Sequence, residues 1–217
     1  LVGRFLRERE GSRLSRLDHQ PVQHRQGDPF PADAFDADLN AVVDFRWSPS
    51  PRLDWWFDHH QSAFHRAEWR EAFERAHNPN HFWDPAAPSC CGLAAQVLAE
   101  RFGWTAPDLA ELVRWADVID AARFPSAAVA VRLEEPALRL MTLLEASRDL
   151  ALPDRIIEAM RSRPLGEIAA QPWARDPLGP ILERHARSIE TVRRLAREKI
   201  GPVRDDLEKT VAIKRSQ

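Results

Sequence analysis

The fold of this chain is decided by VVDFRWSPSPRLDWWFDHHQSAF, residues 42–64. Two short apolar runs stand in it. The first ends in Asp44, and the second, Trp55-Trp56-Phe57, leads directly into Asp58, His59 and His60. A surface loop does not need three ionisable groups after such a run, and a core tolerates them only when they are paired. The runs favour β structure and are separated by the turn Ser48-Pro49-Ser50-Pro51. They predict strands over residues 40–45 and 53–57, in a sheet with helices on both faces. In an open α/β sheet, ligands gather at the carboxyl ends of the strands. If the two strands are neighbours, Asp44 and His59 converge on one point.

Around this stretch the chain reads as ordinary globular protein. It has 217 residues, 44% hydrophobic and 29% charged, enough for one or two domains with a sizeable core. A net charge of -2 gives no bulk field for long duplex nucleic acid. No apolar run approaches the roughly 18 residues of a membrane span. The opening LVGRFLRERE reads as an amphipathic helix, not a signal peptide. The two cysteines, Cys90 and Cys91, are adjacent and have no third partner. They predict no structural crosslink and a reducing, cytoplasmic setting.

Helices are expected over residues 1–10 and 62–77, from an N-cap at Ser89 to Phe102, and from Asp108 through Leu112, Val113, Ala116 and Ile119. Residues 11–38 and 77–88 read as irregular. Beyond Pro125 the pattern is helical over 127–150, 153–162 and 176–199, followed by a charged tail or lead-in. The stripe Leu138, Leu140, Met141, Leu143 and Leu144 is expected to be core. The fold class is therefore α/β, a mainly parallel sheet flanked by helices, with a helical C-terminal extension. The division falls into residues 1–126 and 127–217.

Carboxylate and imidazole together form a ligand set for Mn, Fe, Zn or Co. A carboxylate can bridge two ions, and such pairs drive phosphoryl hydrolysis. A two-His-one-carboxylate iron site competes, but neighbouring residues on an extended chain point to opposite sides. His19, His24, His65, His77, His81 and His185 are read as ordinary surface or core histidines.

VVDF followed by WFDHHQSAF resembles motifs II and III of the DHH phosphoesterase superfamily. Its members include RecJ-like exonucleases, nanoRNases, cyclic-dinucleotide phosphodiesterases, exopolyphosphatases and family II pyrophosphatases. WADVIDAARFPS, residues 115–126, resembles the family's fourth motif. PSCCGLAAQVLAERFGW, residues 88–104, resembles the helix between motifs III and IV. The resemblance implies that Asp44 bridges two divalent ions, most naturally Mn²⁺, and that His59 ligates one of them. Asp117, with Asp120 as second choice, completes that shell. His60 faces the phosphate or the attacking water, and Asp58 orients the histidines. Arg46 and Arg123 hold phosphate oxygens.

The implied substrate is a phosphorylated small molecule, a short oligonucleotide, a cyclic dinucleotide or polyphosphate, hydrolysed by a homodimer. The family's first motif, His-x-Asp-x-Asp, and its glycine-rich C-terminal substrate domain are not in this sequence. Both are expected outside it. The alternative to the enzyme is an inactive homologue that binds a nucleotide or a protein.

Overall fold

The computed structural model describes residues 1–22, 27–31 and 33–200. His24 and the charged segment from Gly201 onward lie outside the described residues. The chain divides into two compact units, Leu1–Ala122 and Arg123–Gln217.

The first unit is α/β. Helix α1 (Val2–Glu10) is followed by strands β1 (Ala41–Val43) and β2 (Trp55–Asp58), helix α2 (Ala67–Ala76), strand β3 (His81–Trp83) and helices α3 (Cys90–Phe102) and α4 (Ala110–Asp120). The sheet is parallel with order β1-β2-β3. Val42 pairs with Trp56 and Val43 with Phe57, so Asp44 and Asp58 come to adjacent strand ends.

Alternation along β2 sends its aromatics to both faces. Trp55 and Phe57 pack with Phe5 and Leu6 of α1 and with Cys90, Ala94 and Leu98 of α3. Trp56 packs on the other side with Val42, Phe45, Trp47 and Leu53, closed by Trp69 and Phe73 of α2. Full burial of a side chain such as Phe57 or Leu98 contributes roughly 1.5–3 kcal/mol. That is why so short a central strand is stable. The strand run into Asp58 is buried at every position.

The β1–β2 connection, residues 44–54, contains no helix. Indole donors pin it instead. Trp56 Nε1 donates to the Phe45 carbonyl at 2.8 Å, and Trp47 Nε1 donates to His81 Nδ1 at 3.1 Å.

Several expectations change, and the helix expected over 176–199 starts at Pro172 and runs through Pro177 and Pro180. Residues 77–88 hold β3, because Asn80 accepts from Trp56 N and draws a three-residue run alongside β2. The helix expected over 62–77 begins only at Ala67. The helix expected over 127–150 is two, α5 (Ala127–Arg132) and α6 (Pro136–Ala146), split where Leu133 takes φ +53° and Pro136 opens a new first turn.

The second unit is wholly helical among its described residues: α5, α6, α7 (Leu152–Ala159), α8 (Leu165–Ala170) and α9 (Pro172–Ile200). α6 packs against α8 and α9. Leu138, Leu140 and Leu143 are buried there, as the stripe predicts, but Leu144 is exposed. No helix among the described residues is long and apolar enough to cross a membrane.

Candidate metal centre

Asp44 is the first residue past β1. Its backbone N–H donates to the Phe57 carbonyl at 2.9 Å, which extends the ladder by one bond. Its φ of +57° then turns the chain away, a conformation that Asp adopts more readily than most residues. The carboxylate is left half-exposed beyond the sheet.

Asp58 ends β2 and is fully buried. Its Oδ1 accepts from the backbone N–H of His59 at 2.9 Å, from that of His60 at 3.3 Å, and from His60 Nδ1 at 2.6 Å. These bonds curl the chain as soon as the strand stops. As a result both imidazoles lie on the same side, with ring centroids 4.6 Å apart. The expectation that they point apart assumed an extended chain, and the strand ends at Asp58, before both histidines.

His59 Nδ1 lies 3.1 Å from the Ala87 carbonyl. A carbonyl only accepts, so Nδ1 carries a proton, and in the neutral ring Nε2 presents its lone pair. That Nε2 sits 3.6 Å from Asp44 Oδ1 and 4.0 Å from Asp120 Oδ2. A ring nitrogen bonded to a backbone carbonyl, with the other left to a ligand, is the usual support of a metal-binding histidine. His60 is fixed likewise by Asp58, with Nδ1 3.8 Å from Asp44 Oδ1. Asp44, His59 and His60 each offer a ligand atom within 4.8 Å of the others.

The electrostatics agree with this geometry. Burial raises the pKa of Asp58 above the ordinary carboxylate value, against the hydrogen bonds from His60 and His59 that lower it. Asp58 Oδ2 is buried with no hydrogen-bond partner. Burial also raises the pKa of Asp120, and the charge of Asp44 adds to it. Burial disfavours the His60 imidazolium. The Asp58 hydrogen bond and the charges of Asp58, Asp44 and Asp120 outweigh it and leave the pKa raised. A carboxylate whose charge is disfavoured by burial and by a neighbouring acid, as that of Asp120 is, gains from a cation beside it.

Asp117 and Asp120 have separate positions. Asp120, at the end of α4, is the acid that reaches His59. Asp117, one turn earlier, accepts from the Ser89 hydroxyl at 2.6 Å. Ser89 caps α3 and accepts in turn from the Gly92 N–H at 2.8 Å. A Cβ on Gly92 would run into the Asp117 carboxylate, with Cγ at 3.1 Å and the nearer oxygen closer still. Gly92 therefore lets α4 lie close on α3, which sets the end of α4 at the site. Its sequence signal was only the small residue in the first turn of a capped helix.

Arg46 is half-buried. Its Nη1 lies 3.3 Å from His65 Nδ1, and its Nε is buried without a partner. Arg123 opens the second unit, and the groups above all come from the first. Cys90 donates to the Phe57 carbonyl at 3.2 Å, and burial raises its pKa, so it is an inert thiol. Trp83, unremarked in the sequence, donates its indole N–H to the His60 carbonyl at 2.8 Å.

No protein-family model, no curated protein and no solved structure matches this chain.

Proposed function

We propose that this chain is a metal-dependent phosphoesterase of the DHH superfamily, hydrolysing a phosphodiester or phosphoanhydride in a small nucleotide-type substrate or polyphosphate. The observation that carries this reading is the meeting of Asp44, His59 and His60 at two parallel strand ends, with Asp120 4.0 Å from His59. Oxygen and imidazole donors in that number suit Mn²⁺ or a similar ion. Asp44, His59 Nε2 and Asp120 would hold it. Such an ion would supply Lewis acidity, activating a bound water and offsetting phosphate charge.

The chain's own residues supply the rest. The Ala87 carbonyl keeps the His59 lone pair turned to the ion. Asp58 accepts from His60 Nδ1 at 2.6 Å and so orients the ring, which would bond a phosphate oxygen. Asp117 serves as the strut that presents Asp120. Arg46 is the candidate phosphate contact. Asp44, His59 and Asp120 would supply donors for one ion, and a second would need donors beyond these three.

A second reading follows from the same cluster. Two histidines and one carboxylate are also the donors of mononuclear non-haem iron. The added carboxylate of Asp120 favours the phosphoesterase.

The test is to load the chain with Mn²⁺, Zn²⁺ or Fe²⁺, count bound ions, and assay bis(p-nitrophenyl) phosphate. Bound Mn²⁺ and hydrolysis, both lost in His59→Ala, are expected. Retained Mn²⁺ without turnover on any phosphoester would mean a binding module. Selective Fe²⁺ retention would favour the iron reading.

A further inference from the structure

The loop that carries Asp44 has no helix to stiffen it, yet one histidine holds it at two points. His81, at the start of β3, lies between Trp47 and Leu53, which belong to opposite ends of the loop. Trp47 is buried, and its indole N–H can only donate, so His81 Nδ1 must accept that 3.1 Å bond. His81 Nε2 lies 3.1 Å from the Leu53 carbonyl, which can only accept. The two partners thus require one form of the ring: neutral, with the proton on Nε2. No other protonation state makes both bonds.

The surroundings favour that state. Trp47 and Trp56 pack edge-on to the imidazole, with centroids 6.3 and 6.4 Å away. Phe73 of α2 closes on the same two indoles. Burial lowers the His81 pKa, although the Leu53 bond and the charge of Asp54 oppose the shift. The same loop is tied by Trp47 N to the Ala63 carbonyl at 2.9 Å and by Trp56 Nε1 to the Phe45 carbonyl at 2.8 Å. Asp44 sits one residue before Phe45, in the strained left-handed conformation that these ties hold in place.

We propose that His81 is a positioning residue for the candidate metal centre: as a neutral Nε2–H imidazole it bridges Trp47 to Leu53 and so fixes the loop that presents Asp44. The proposal rests on the metal reading of Asp44 for its consequence, but not for its geometry. A variant that keeps one acceptor and one donor on the side chain preserves the bridge. One that has neither loosens the loop.

The experiment follows backbone amide and indole hydrogen exchange in the metal-free, ¹⁵N-labelled full chain, and then Mn²⁺ binding by equilibrium dialysis. His81→Leu, His81→Gln and Trp47→Phe are compared with the parent, and Trp47→Phe also assigns the Trp47 indole signal. In His81→Leu, the Trp47 indole and the Asp44 amide are expected to exchange faster while the Leu98 amide of α3 is unchanged. Mn²⁺ affinity should fall roughly tenfold, the low end for loss of a ligand's outer support. His81→Gln should restore both. Trp47→Phe carries the same test if His81→Leu fails to fold.

Unchanged Asp44 exchange in both disruptive variants overturns the proposal, whatever the chain does with metal. So does equal Mn²⁺ affinity in the parent and the variants. A parent that binds no Mn²⁺ overturns the metal reading instead, and the Asp44 exchange then judges the bridge.

Discussion

Asp44 and Asp58 are the same residue type at neighbouring parallel strand ends, yet they are opposite kinds of group. Asp44 is half-exposed, turned out by its φ of +57°, and points its oxygen at two histidines. Asp58 is wholly enclosed and spends one oxygen on three hydrogen bonds. Their strands explain the difference. β2 is central, flanked by β1 and β3, so its last residue is walled in. Among the described residues β1 has one neighbour, and Asp44 lies one residue past its end. A buried carboxylate must organise the backbone around it, because every donor it fails to find costs free energy. An open one is left for a ligand.

That contrast can be broken by substitution. The largest effect is expected from Asp58→Ala, which strands two backbone N–H groups and His60 Nδ1–H. It should cost about 3 kcal/mol in chemical denaturation, and metal binding should fail with it. Asp44→Asn should do the reverse. Asn tolerates the left-handed conformation, so stability should stay within about 0.5 kcal/mol. Mn²⁺ affinity measured by calorimetry should fall roughly 30-fold, about 2 kcal/mol. If Asp44→Asn destabilises as much as Asp58→Ala, the division of roles between the two acids is wrong.

Gly92→Ala sharpens the comparison from the side of α4. Its methyl group meets the Asp117 carboxylate and should cost about 1–2 kcal/mol by thermal unfolding. The Asp120 resonance in a carboxyl-detected spectrum should shift with it.

The smallest effect concerns pH. The His60 pKa is raised in the folded chain, so its contribution to stability is complete below the ordinary value of 6.5 and is lost as pH rises through the folded value. In metal-free protein, the Tm difference between the parent and His60→Gln should shrink from mildly acidic to alkaline pH. A difference that grows with pH would contradict the Asp58–His60 bond.

Much of the site was legible in the residues themselves. An aromatic run ending in Asp58-His59-His60, and a β-favouring run ending in Asp44, point to a ligand-bearing strand end from composition and order alone. Ser89 announced the start of α3. Other features had no sequence signal. His81-Phe82-Trp83 is too short a run to show a period, and it becomes β3 only because β2 offers it an edge. Asp117 and Asp120 lie three residues apart on one helix, so helical spacing puts both near one face and does not choose between them. His81 was read as an ordinary histidine. Its bridge depends on Trp47 and Leu53, 34 and 28 residues away.

Residue order alone carried β1, β2 and α3 and the chemical kind of the groups at the strand ends. Both follow from side-chain identity and from short-range rules of periodicity, capping and turn chemistry. Long-range packing settled which acid is enclosed and which is open, and which of two helix carboxylates reaches His59. Those outcomes depend on which strand is central, where a strand stops, and how closely one helix can approach another. They are set by packing between residues far apart in the chain, which no short window of sequence contains.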